Sequence, residues 1–251
     1  MRFDTNAFFG HWPYWPLPQT GGQDVLRLMD RFGIERAAIT SLRGLHGDWH
    51  EANVETLELA GRHPDRFTPI GCMSPMRGGG ADALRRFAAD GGRGVRLYPQ
   101  LLQGYSLAGP FADEVAAAAC ELGLPVIVAT RPMMNFRFAP LPIADVESLA
   151  ARHPGTTVIL SGPNYLSEFR TVCEAIPRCA NLFIEVACMQ GFQAVARLVG
   201  LVGADRVLFG TGMVLHAPAC NVAKLDHARI KPDQRRAIAW ANACRIFGVS
   251  G

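Results

Sequence analysis

The sequence predicts one α/β domain built as a parallel (β/α)8 barrel. Eight short apolar runs alternate with amphipathic stretches along the whole chain, glycines stand at the ends of several helical patterns, and 251 residues is an ordinary size for such a barrel. No linker or low-complexity stretch interrupts the alternation, so residues 1–251 read as a single domain.

In chain order, the first strand is RFDTNAF (2–8), where apolar and polar residues alternate, and the second is the small, β-branched AAITS (37–41). TPIGCMS (68–74) and GVRLYP (94–99) supply the third and fourth, each bounded by Gly or Pro. PVIVATR (125–131) and TVILSG (157–162) carry the continuous apolar runs of strands buried on both faces. NLFIEVA (181–187) and RVLFGTG (206–212) complete the set. Helical spacing is clear between them: Val25, Leu26, Leu28 and Met29 lead to Phe32, and Val195, Leu198, Val199 and Val202 repeat the pattern. Gly33, Gly61, Gly91, Gly123 and Gly203 fall at or near helix ends, where a left-handed residue is wanted.

Composition narrows the function classes. A chain with 49% hydrophobic and 19% charged residues can bury a large core. The net charge of +3 is scattered, with no run of like charges, which argues against a nucleic-acid arm or an anionic membrane surface. The segment MRFDTNAFFGHWPYWP has no secretory pattern, and no apolar stretch reaches the roughly 18 residues of a spanning helix, so a cytoplasmic protein is expected. The seven cysteines are odd in number and form no CxxC pair, which predicts buried, reduced thiols.

Several segments then carry a family resemblance. HPDRFTPIGCMSP (63–75), GGRGVRLYPQLLQGYSL (91–107), ELGLPVIV (121–128), GADRVLFGTGM (203–213) and WANACRIFGV (240–249) stand in the order seen in the amidohydrolase-related (amidohydrolase 2) family of TIM-barrel metal hydrolases, which this chain resembles. The resemblance implies a divalent metal held by an HxH pair on the first strand, a His ending the fifth, often a His on the sixth, and an Asp after the eighth. Those positions here are Asn6 and Phe8, Ala129, Gly162 and Gly212. Phe, Ala and Gly side chains donate no electron pair, so the chain resembles a divergent member lacking the metal ligands, and no metal or other cofactor is expected.

The histidines offer little replacement. His63 and His153 each precede a Pro at a helix-end turn, His227 sits in the run between the eighth strand and the last helix, and His46 and His50 form an HxxxH whose spacing suits one helical face but has no third donor nearby in sequence. His11 and His216 follow the first and eighth strands and should reach the same rim, where Cys220 stands close to His216.

The strand period of two points Asp4, Asn6 and Phe8 inward, with Arg96 and Tyr98 on the fourth strand, Ala129 and Arg131 on the fifth, and Glu185 on the seventh. Arg43, on the loop after the second strand, joins Arg96 and Arg131 in an expected cationic mouth suited to carboxylate or phosphate, with His11 and Asn164 as further ligand contacts. The competing reading of these charges is a buried Arg–carboxylate network. The aromatic–proline segment near residues 8–18 (Phe8, Phe9, Trp12, Tyr14 and Trp15 among prolines) fits a lid or a homo-oligomer interface, and MMNFRF (133–138) is a second apolar loop.

Three functions follow in order of preference. The first is a non-catalytic barrel that binds a small anionic molecule or a partner subunit. The second is a metal-independent hydrolase or lactonase acting on a carboxylate-bearing small molecule, with Asp4, Glu185 or His216 as catalytic base. The third is a metal-dependent amidohydrolase or decarboxylase whose relocated site would draw on His11, His216 and Glu185.

Overall fold

The computed structural model describes residues 1–250 except Trp15, Gln19 and the segments 100–101 and 133–139; for 165–167 it describes the backbone only. The strands are β1 (Phe3–Phe9), β2 (Arg36–Ser41), β3 (Phe67–Pro69), β4 (Gly71–Cys72), β5 (Val95–Leu97), β6 (Val126–Ala129), β7 (Val158–Ser161), β8 (Leu182–Glu185) and β9 (Val207–Leu208). All neighbouring pairs within the sheets are parallel. β3 and β4 are two halves of one barrel strand: Ile70 N between them donates to Ile39 O of β2, and the next amide, Gly71 N, donates to Gly94 O. On this count all eight expected strands are present, and the fold is a (β/α)8 TIM barrel.

The last strand meets the first through backbone bonds at Thr5 N to Phe209 O, Gly212 N to Asn6 O and Phe8 N to Met213 O. Asp4 reinforces this seam. Its Oδ1 accepts from Asn6 N and Thr211 N, both at 2.9 Å, and its Oδ2 accepts from the Thr211 hydroxyl. The first of these bonds gives an acceptor to an amide at the register irregularity between Asp4 and Ala7.

The helices are α1 (Gly22–Phe32), α2 (Arg43–His46), α3 (Trp49–Arg62), α4 (Ala81–Ala89), α5 (Pro110–Leu122), α6 (Ile143–Arg152), α7 (Tyr165–Arg178), α8 (Ala194–Val202), α9 (Pro218–Asp226), α10 (Pro232–Arg236) and α11 (Asn242–Phe247). Their boundaries follow local chemistry. Asp48 accepts from His50 N at 2.9 Å to start α3, and Gly33 (φ 60°) and Gly123 (φ 65°) close α1 and α5 in the left-handed conformation. Gly61, expected at a helix end, lies inside α3, which continues to Arg62 before His63 caps it. No helix among the described residues is long and apolar enough to cross a membrane.

Two apolar layers result. Outward-facing Val126, Val128, Val158, Leu160 and Ile184 pack against the helices, whereas Phe3, Ala38, Ile70, Ile127, Ile159 and Leu208 gather with Phe247 of α11 in a second cluster. Register places Ile127 beside Arg96 and Leu208 beside Glu185, so the second cluster faces the barrel interior together with these polar residues.

Asp4 makes the seam pH-sensitive. Burial pushes its carboxyl up from 3.8 to about 7, with the nearby Glu185 charge adding to the effect and the Thr211 and Asn6 hydrogen bonds opposing it. The folded protein therefore binds a proton that the unfolded chain has lost, and this contribution to stability declines as pH rises from about 4 through about 7. Asp4→Asn keeps an acceptor for the two backbone amides. Its stability advantage over wild type, read from urea denaturation, is expected to grow by a few kcal/mol between pH 5 and pH 8, whereas a pH-independent difference would contradict the assignment.

Candidate ligand site at the barrel mouth

The upper interior is organised by one hydrogen-bonded chain. Arg96 Nη1 donates to Asn6 Oδ1 at 2.6 Å, and Asn6 Nδ2 donates to Glu185 Oε1 at 3.2 Å. Glu185 Oε1 also accepts from Ser161 Oγ at 2.8 Å and Gly162 N at 3.0 Å, while Oε2 accepts from Ala187 N at 2.7 Å. Three donors on Oε1 and one on Oε2 hold Glu185 in place, and each hydrogen bond to the carboxylate lowers its strength as the base considered above. Asp4 lies beneath this layer with three donors on it, fully buried.

Arg96 is the largest fully buried side chain of the chain's described residues. The face of the Phe8 ring lies 4.7 Å from its guanidinium carbon, a cation–π contact of about 1–2 kcal/mol when desolvated. Its Nε and Nη2 have no acceptor. Two orphaned donors on a buried cation are expensive, because each would otherwise be hydrated. Tyr98, also buried, senses the Arg96 charge, and burial raises its phenol well above the ordinary range.

The other two arginines expected in the mouth have carboxylate partners. Arg131 Nη2 lies 2.8 Å from Glu168 Oε2, and the same oxygen accepts from Asn164 N at 2.7 Å. Asn164 and Arg131 thus share an anchor on α7. Arg43 begins the short helix α2, where it pairs with Glu51, and with Glu55 at 2.9 Å, while remaining 47% exposed, so its charge is already shared with solvated carboxylates of α3.

The histidines disperse. His46 ends α2 and bonds His11 O at 3.2 Å, whereas His50 belongs to α3, stacks on Trp49 and bonds Arg77 O at 3.0 Å. Their HxxxH therefore never shares a helical face. His11 is exposed, and among the described residues no group of three His, Cys, Asp or Glu side chains gathers to hold a metal, so the set His11, His216 and Glu185 does not assemble. Within the aromatic–proline segment, Phe8, Phe9 and Trp12 pack into the core and Tyr14 remains exposed; Trp15 and the loop 133–138 lie outside the described residues.

The positions that the resemblance assigns to metal ligands are refilled rather than open. A Cβ at Gly162 would stand 2.5 Å from Arg131 O and 3.0 Å from Arg131 Cγ, and one at Gly212 would stand 2.5 Å from His216 Nδ1. A Cβ at Gly210 would collide with Glu185. Asn6 is bonded on both sides, and Phe8 covers Arg96. Phe, Ala and Gly side chains with one doubly hydrogen-bonded Asn do not fit a divalent cation.

Two groups were not anticipated. Gln103, on the loop after β5, donates from Nε2 to Gly44 O at 2.7 Å and lies 3.5 Å from Cys72 Sγ, leaving Oε1 buried without a donor. Cys72 is the register neighbour of Arg96, so an orphaned acceptor stands near the orphaned donors. Lys224, on α9, donates to Val186 O at 2.6 Å and Ala187 O at 3.3 Å at the end of β8. Lys224 lies outside the segments that carry the resemblance and Gln103 lies inside one without a distinctive role there, so only tertiary packing reveals them.

The refilling is testable at Gly212, whose φ of 71° already disfavours a side chain. Gly212→Ala and Gly212→Asp are both expected to lower stability by about 1–3 kcal/mol in urea denaturation, because each displaces His216. A neutral or stabilising Gly212→Asp would show that the acid's place is still open.

Comparison with known proteins agrees with this architecture. No curated protein sequence matches the chain. Among solved structures it is similar to 5-carboxyvanillate decarboxylase from Sphingomonas paucimobilis (TM-score 0.76, 16% identity, 99% of each chain covered) and to 2,6-dihydroxybenzoate decarboxylase from Rhizobium (0.73, 17%, 100% of this chain and 99% of that one). A third is the putative 2-pyrone-4,6-dicarboxylic acid hydrolase from Pseudomonas putida (0.76, 16%, 100% and 98%). At these identities the likeness concerns the fold. The family model described as Amidohydrolase matches residues 4–249, nearly the entire chain, and the protein belongs to that amidohydrolase family.

Proposed function

We propose that the barrel mouth binds a small ring-bearing carboxylate through Arg96, without a metal and without turning it over. The observation that carries this reading is the buried guanidinium with Nε and Nη2 free of any acceptor. Those two donors form one edge of the guanidinium fork, the edge that grips a carboxylate in two parallel bonds. Gln103 Oε1 adds an acceptor suited to a hydroxyl on the same ligand. Phe8, stacked on the guanidinium, supplies apolar surface for a planar ring. The compounds that similar structures are named for, 5-carboxyvanillate, 2,6-dihydroxybenzoate and 2-pyrone-4,6-dicarboxylic acid, are all planar rings with carboxylates.

Non-catalytic binding is favoured over hydrolysis because the acids are committed. Glu185 is fixed by four donors, and Asp4 is buried against Thr211. A metal-independent hydrolase would be left with His216, whose pKa is lowered by burial.

Hydroxybenzoates and pyrone carboxylates at about 100 times their Kd are expected to stabilise the protein by about 2.7 kcal/mol, raising the melting temperature by roughly 5–10 °C. Arg96→Gln should weaken binding by at least about 30-fold, the loss of a desolvated charge-assisted pair. Arg43→Gln should leave it unchanged. No stabilisation by any carboxylate, or equal stabilisation of the Arg96 variant, would overturn the proposal.

A further inference from the structure

A second pocket lies beside the mouth, between α9 and the chain leaving β8. It encloses about 220 Å³ and is lined by Ala187, Gln190, His216, Cys220, Asn221 and Lys224, among others. His216, Cys220 and Lys224 are spaced by four, so they follow one another along one side of the segment that ends in α9.

Two observations set this pocket apart. The first is compositional: of the 25 Lys and Arg residues only Lys224 and Lys231 are lysines. Ion pairs across the described surface, such as Arg2–Asp226, Arg66–Asp30 and Arg178–Glu147, use arginine. Arginine stays charged, whereas lysine can deliver a neutral amine. The chain places one of its two lysines against the barrel rim, and burial pushes its ammonium down from 10.5 to about 8 although Glu185, Cys188 and Cys220 pull it up. The second is Asn221, 3% exposed: its Nδ2 donates to Thr211 O at 2.8 Å and its Oδ1 has no donor.

We infer that this pocket is a carbonyl site, in which the Lys224 amine forms an imine with a small aldehyde or ketone. The amine lone pair attacks the carbonyl carbon, the C–N bond forms, and the carbonyl oxygen takes a proton to become the hydroxyl of a carbinolamine. Asn221 Oδ1 is the acceptor for that hydroxyl. His216, kept largely neutral by burial, carries the proton from nitrogen to oxygen, and loss of one water leaves the C=N bond. No oxidant or reductant is required, and hydrolysis reverses the step. The backbone carbonyls of Val186 and Ala187 hold the amine in position beforehand.

The test treats the intact protein with propionaldehyde and cyanoborohydride at pH 7.5 and maps the alkylated lysine by peptide mass spectrometry. Lys231, which is exposed, is the internal control. Lys224 is expected to be alkylated at least about tenfold faster than Lys231, since an ordinary lysine titrates near 10.4. A polyethylene-glycol-linked aldehyde, too large for the pocket, should reverse that order. His216→Gln should slow modification at Lys224 by about tenfold and leave Lys231 unaffected. Lys224→Arg, which keeps the carbonyl contacts, should retain the melting temperature and lose only the fast site. Lys224 reacting no faster than Lys231, or equally fast with the bulky aldehyde, would overturn the inference, and neither result bears on carboxylate binding at Arg96.

Discussion

The arrangement at the top of the barrel depends on the hydrogen bonds that run from Arg96 through Asn6 to Glu185. A cation and a carboxylate buried in a low-dielectric interior are each costly, and a neutral amide between them gives each a hydrogen-bond partner without direct contact. Asn6 is suited to the place because its oxygen accepts from the guanidinium while its nitrogen donates to the acid. The rest follows from that bridge: Phe8 lies across the guanidinium, Ser161 and Gly162 fix the acid from β7, and Gly210 leaves the room that Glu185 occupies.

This accounts for why the missing donors cannot be regarded one at a time. Gly162 makes space for Arg131, and Gly212 makes space for His216. At Gly162 it is chiefly the Arg131 backbone that comes close and at Gly212 the His216 ring, and the Arg131 side chain is anchored in turn by Glu168. The interior among these residues carries a buried positive charge on the Arg96 side chain. Such a guanidinium recognises an anion through directed hydrogen bonds but offers no open coordination position for activating water.

Much of this was legible before any coordinates. The eight strands were legible because apolar runs and helical spacing alternate without interruption, and the inward positions of Asn6, Arg96 and Glu185 follow from a period of two. What sequence could not show was partnership. Arg43 and Arg96 are the same residue type near strand ends, yet one finds Glu51 and Glu55 on the adjacent helix and the other finds only Asn6. His46 and His50 have chelating spacing, but the break between α2 and α3 at Gly47 and Asp48 separates them. Gln103 and Lys224 matter because packing from distant segments buries them, and neither has a local pattern to announce it.

We propose that the Arg96 side chain, and not a bound metal, supplies the positive charge at the mouth of this barrel. This is tested most directly by the metal content of the protein purified after growth with added zinc and manganese, paired with melting curves in the presence and absence of chelator. The arrangement described above predicts far less than one equivalent of metal and a melting temperature indifferent to chelation. One equivalent of zinc or manganese, lost to chelator with a fall in melting temperature, would contradict it.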